Sequence, residues 1–119
     1  MLNIIAVGAG GFIGAVCRYL ISLVNISESF VFPIRTFAVN IIGCIIIGFI
    51  AVAVSKNIEL SPPMLLFLKV GICGGFTTFS TFALETADLM SNGHVAAAFL
   101  YVVLSVVVGV AVIFAIEYL

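Results

Sequence analysis

Apolar runs of about twenty residues recur along this chain, separated only by the short breaks "NISESFVFP", "SKNIELSPP" and "SNGH". A helix of about 20 apolar residues is long enough to cross the hydrocarbon core of a bilayer. No water is available there to satisfy peptide groups, so such a run must bond its backbone internally, as a helix does. The pattern predicts an all-α membrane protein with four transmembrane spans, at residues 2–24, 34–54, 64–90 and 95–118, forming one domain over 1–119. Pro62 and Pro63 suit a helix start, where a missing N–H costs little. The third span is overlong at roughly 27 residues, which a tilted or broken helix would accommodate.

Composition excludes most other classes. Charged residues make up 8% of the 119 residues, about a third of the fraction usual in a soluble domain. A net charge of −1 leaves no footprint for nucleic acid. Nothing in the chain matches a nucleophile–base pair or a phosphate loop, so no enzyme is expected. Cys17, Cys44 and Cys73 fall inside spans without metal or disulfide spacing and read as small apolar filler. His94 reads as a solvated loop residue. The first span exceeds signal-peptide length and lacks a basic leader, so no cleavable signal is expected.

An even number of spans puts both termini on one side. Lys56 and Lys69 lie toward that side, Arg18 and Arg35 toward the other. Orientation follows the Lys/Arg asymmetry of short loops, and here the count is balanced. The chain is therefore expected to insert in both senses. Four helices cannot enclose a polar path alone, so transport would require an oligomer. Dual topology would allow an antiparallel homodimer with its two-fold axis in the membrane plane.

Polar and small residues fall into lines four apart, the spacing of one helix face. Gly10 and Gly14 would admit a neighbouring backbone, with Arg18 one turn on facing that contact. Thr36, Asn40, Cys44 and Gly48 form a second line, and Tyr101, Ser105 and Gly109 a third. Together they suggest a narrow path lined by neutral hydrogen-bond donors.

The stretch "CGGFTTFSTF", Cys73 to Phe82, is poor helix material in the middle of a span. Gly71, Gly74 and Gly75 weaken a helix, and Thr77 and Thr78 can bond their own backbone instead of continuing it. Freed carbonyls at such a break can hold a cation, and the restarting N–H groups can face an anion. Phe79 and Phe82 share a face downstream, with Ser80 and Thr81 beside them and Glu85 a turn below. Aromatic edges are electropositive, and weak contacts of this kind suit conduction.

These residues also carry a resemblance. "GGFIGAVCRY", "TFAVNIIGCIIIG", "GGFTTFSTFALE" and "YVVLSVVVG" resemble the four spans of the bacterial Fluc (CrcB) fluoride channels, the third motif being the most specific. The resemblance implies passive efflux of cytoplasmic fluoride across a bacterial inner membrane, through two pores of an antiparallel dimer. It implies that Asn40 donates to fluoride and that Phe79 and Phe82 line its route. Ser80, Thr81, Tyr101 and Ser105 would supply hydroxyls, and Arg18 and Glu85 would hold vestibule or anchoring positions. Carbonyls of Gly74 and Thr77 would hold a buried structural sodium ion. Arg35 stands where glycine is expected and Cys44 where serine is frequent. Neither falls on the implied path, and both read as local variation. The main competitor is a small multidrug antiporter, also an antiparallel four-span dimer. It needs a carboxylate in the first span; this chain has Arg18 there, and Glu85 is the only deep substitute. A non-transporting assembly subunit is the third class.

Overall fold

The computed structural model describes residues 1–27 and 29–119. All regular structure among them is helical: α1 (Leu2–Ser22), α2 (Ile34–Ser55), α3 (Pro62–Leu66), a π-helical segment (Phe67–Cys73), α4 (Gly74–Phe76), α5 (Phe79–Ser91) and α6 (Val95–Glu117). The pieces from α3 to α5 form one span, Pro62–Ser91, and with α1, α2 and α6 give four helices long and apolar enough to cross a membrane. The chain is a multi-pass membrane protein. Its long dimension of 49 Å is close to the ~40–45 Å of a bilayer with its headgroups.

Local chemistry sets the ends. The Ser61 hydroxyl accepts from the Met64 N–H, and Pro62 and Pro63 occupy the first turn. The third span therefore starts two residues before the apolar run does. Gly93, at φ 83°, turns the chain from α5 into α6.

Glycine determines how α1 packs. A Cβ on Gly71 would lie 2.7 Å from the Cα of Gly10, and one on Gly75 would lie 2.7 Å from the Gly11 carbonyl oxygen. Gly10 and Gly14 press equally close against backbone of the third span. Small residues on both sides bring the two backbones together. Gly71 and Gly75 thus serve contact, and they remain helical; they do not break the span. On the other side of the molecule, α2 packs along α6. Gly48 meets Ile116, and Gly109 admits the Cys44 sulfur. The polar lines of α2 and α6 therefore meet across a helix interface at Cys44 and Gly109.

The break itself is at the threonines. Thr77 (φ −79°, ψ 158°) and Thr78 (φ −149°, ψ 120°) are extended between α4 and α5. Below them Leu89, Ala98 and Tyr101 form a core with Phe32, Phe37 and Phe82 packed on it.

Candidate functional site

Two extended residues inside a span release backbone groups that must find partners away from water. Most are accounted for. The Cys73 carbonyl accepts from the Thr77 N–H at 3.0 Å and from its hydroxyl at 2.8 Å. The Gly75 carbonyl accepts from Arg18 Nε at 3.3 Å. Asn40 braces Thr78 on both sides: its Oδ1 accepts the Thr78 N–H at 2.8 Å, and its Nδ2 donates to the Thr78 carbonyl at 3.2 Å. The amide thus bonds one residue as a neighbouring strand would. The Thr78 hydroxyl accepts from the Thr81 N–H at 3.2 Å, capping α5.

Some groups stay free. A primary amide has two N–H donors, and Asn40 uses one on Thr78. The Gly74 and Thr77 carbonyls accept no hydrogen bond among the described residues. Space beside Gly74 is open, the nearest atom to a built Cβ being the Lys69 carbonyl oxygen at 4.0 Å. No three His, Cys, Asp or Glu side chains gather as metal ligands among the described residues. A cation at the break would therefore depend on backbone oxygen.

An open groove of about 440 Å³ runs along this break, bordered by Asn40, Gly74, Thr77, Thr78, Phe79, Phe82 and Ser105. The Phe79 and Phe82 rings lie 5.8 Å apart, inclined at 49°. Phe79 is 79% exposed. The Ser105 hydroxyl is buried and has no partner among the described residues.

Phe82 also links the groove to a second polar region. Its ring meets Tyr101 edge to face at 4.9 Å. Tyr101 is fully buried, and its hydroxyl donates to Glu85 Oε1 at 2.9 Å. The Thr36 hydroxyl donates to Glu85 Oε2 at 3.0 Å. Glu85 therefore collects one donor from α2 and one from α6. With Thr36, Thr81, Asp88 and Arg35 it borders a wider cavity of about 640 Å³.

The residues singled out from the sequence are thus divided by the structure. Asn40, Phe79, Phe82 and Ser105 share the groove with Gly74 and Thr77. Tyr101 lies behind Phe82 with its hydroxyl committed to Glu85. Thr81 and Glu85 belong to the wider cavity, and Ser80 sits on the exposed side of the first turn of α5. Arg18 is held at the break. Two departures read as local variation are not remote: Cys44 borders the groove and Arg35 the wider cavity. Thr78 was missed as a site residue. The one signal for it was the pair of adjacent threonines.

The chain is thus a polytopic membrane protein with a braced break in one span, beside which an open groove exposes aromatic rings and the Ser105 hydroxyl. Residues 5–116 match the family model described as CrcB-like protein, Camphor Resistance (CrcB), and the chain belongs to that family. It is 47% identical over 114 residues to the fluoride-specific ion channel FluC of Chlorobaculum tepidum, covering 96% of this chain and 90% of that one. It is 45% identical over 111 residues to the FluC of Methylobacillus flagellatus, covering 92% and 87%. With the Agrobacterium fabrum FluC it shares 40% identity over 116 residues, covering 97% and 93%.

Proposed function

We propose that this chain forms a fluoride-specific channel that lets cytoplasmic fluoride leave the cell passively. The observation that carries the reading is the unpartnered, buried Ser105 hydroxyl in the same groove as Asn40, Phe79 and Phe82. A small anion leaving water needs donors in place of its shell. Ser105, the second Asn40 N–H and the ring edges are neutral donors of this kind, in a groove that Lys69 also borders. The near full-length relatives named as fluoride-specific channels support the same reading. A proton-coupled antiporter fits less well. The first span holds no carboxylate, and Glu85 already accepts from two hydroxyls.

The working unit in this proposal is an antiparallel homodimer in the bacterial inner membrane. The groove is open on the single protomer, and the exposed Phe79 edge would be covered by a second copy. The balanced basic residues favour equal insertion in both senses. Gly74 and Thr77 fit a sodium ion at the two-fold axis: their carbonyls are uncommitted, and neutral oxygens suit a monovalent cation better than calcium. When bound, the ion would supply a positive centre near the groove and tie two protomers together.

Liposomes holding only the purified protein test this directly. Fluoride should escape when its counter-charge is relieved, and chloride should stay. Phe79→Ile and Phe82→Ile keep apolar bulk but remove the ring edge, so flux should drop while the protein remains folded. Fluoride retained by wild-type liposomes would end the channel reading in favour of a non-transporting subunit.

A further inference from the structure

The groove along the break is bordered unevenly. Asn40, Thr78, Phe79 and Phe82 stand at or after the break, and Ser105 joins them from α6. The half that precedes the break is bordered by Lys69 and Cys73, with Cys44 and Ile47 from α2. The polar line of α6 runs out here: its next member after Ser105 is Gly109, which packs against the Cys44 sulfur. The Thr77 hydroxyl is already spent on the Cys73 carbonyl, and thiols are weak donors. An anion in this half has no free hydroxyl or amide side chain to replace its water. We propose that the Lys69 ammonium fills that gap: it is the anion-attracting group of the half before the break and sets the conduction rate at low fluoride.

Three observations carry the assignment. First, of the residues bordering the groove Lys69 alone is charged, and no carboxylate stands among them to neutralise it. The other titratable groups on the groove are the Cys44 and Cys73 thiols. Second, the ammonium is unspent. It makes no hydrogen bond or ion pair among the described residues, and it has three donors to give. Lys69 lies about 10 Å along the span from Pro62, at ~1.5 Å per residue. A charge at that depth is costly and by default marks an ion pathway. Third, the backbone sets its position. Lys69 belongs to the π-helical segment, and the Gly74 N–H donates to its carbonyl in an i→i+5 bond. That wider turn stands Lys69 one turn before Gly74, on the side that borders the groove. Such turns are frequent at functional sites.

A fixed charge that held the anion rigidly would slow its release. Lys69 carries its charge on a flexible four-carbon stem and is exposed on the protomer, so the contact stays mobile and partly hydrated. The inference rests on the channel reading. In the antiparallel pair of that reading, each Lys69 lies toward its own protomer's termini, so one serves each face of the membrane.

Unitary current in planar bilayers is the measurement, because misfolding changes the number of channels and not the current through each. Lys69→Met keeps the length of the side chain, removes the charge and suits an apolar span. At low fluoride its unitary current should be several-fold below wild type, and the deficit should narrow at high fluoride, where arrival of the ion no longer limits. Lys69→Arg should recover most of the current. Lys69→Glu should carry none, since a carboxylate repels the anion. A Lys69→Met current equal to wild type at every fluoride concentration overturns the proposal and leaves a lysine that only snorkels to the surface. A deficit that stays constant as fluoride rises, or an Arg variant as poor as Met, overturns attraction by charge and makes the residue a wall of the groove. Wild-type protein without fluoride current brings down the channel reading, and this inference with it; normal wild-type current beside an unaffected Lys69→Met sinks this inference alone.

Discussion

Asn40 and Ser105 sit in one groove with opposite hydrogen-bond accounts. Ser105 has no partner to lose among the described residues. Ser105→Ala should leave thermal stability within about 0.5 kcal/mol of wild type, or raise it slightly, because a buried orphan hydroxyl is removed. Flux should nonetheless fall by about fivefold if that hydroxyl replaces a water on the ion, since one such bond is worth ~1 kcal/mol. Parallel melting and liposome flux measurements check both halves; a marked stability loss would mean the hydroxyl is structural. Asn40→Asp behaves differently. It turns the Nδ2 donor into an oxygen facing the Thr78 carbonyl, 3.2 Å away in the wild type. Stability should fall by about 1–3 kcal/mol, the cost of an unsatisfied buried group. Flux should vanish, because a fixed negative charge repels the anion. Conducting Asn40→Asp liposomes would remove Asn40 from the route.

Adjacent glycines in α4 have different jobs, and substitution separates them. Gly75→Ala would drive a methyl to 2.7 Å from the Gly11 carbonyl oxygen, so α1 and the third span must part; overpacking of this kind costs about 1–3 kcal/mol. Gly74→Ala meets nothing closer than 4.0 Å in its own protomer. It should leave the isolated protomer intact yet weaken the dimer, read as the monomer fraction in detergent. A Gly74→Ala dimer as tight as wild type would move the two-fold contact elsewhere. These elements also mark how far sequence could reach. The Gly10–Gly14–Arg18 line and the paired threonines announced a close contact and a break, because both are local patterns. Asn40 bracing Thr78, and Glu85 collecting Thr36 and Tyr101, were hidden. Those pairings join residues 38, 49 and 16 positions apart, and they depend on how helices rotate and cross, which spacing along one helix does not encode. The helical glycines were misread for the same reason: a propensity scale cannot tell a weak helix position from one kept small for a neighbour.

At the scale of the whole molecule, the two-against-two basic count predicts both orientations in one membrane. A reporter on the C-terminus should give comparable signal on each side, and two or three lysines added to one loop should confine it to one. A single orientation for the unmodified chain would exclude the antiparallel dimer. The order of packing has a separate consequence. α1 lies chiefly on α3, the π-helical segment and α4, while α2 lies chiefly on α6; α1 and α2 touch little. During synthesis the first hairpin to emerge is therefore not a pair that holds itself together. α1 must wait for the third span, and α2 must wait for the fourth, so the second bundle half does not close until almost the entire chain has left the ribosome. Until α6 arrives, the Cys44 face of α2 lacks its neighbour and Glu85 lacks its Tyr101 donor. The membrane must shelter an unassembled intermediate whose polar faces have not yet met, and its lifetime is set by translation of the last thirty or so residues.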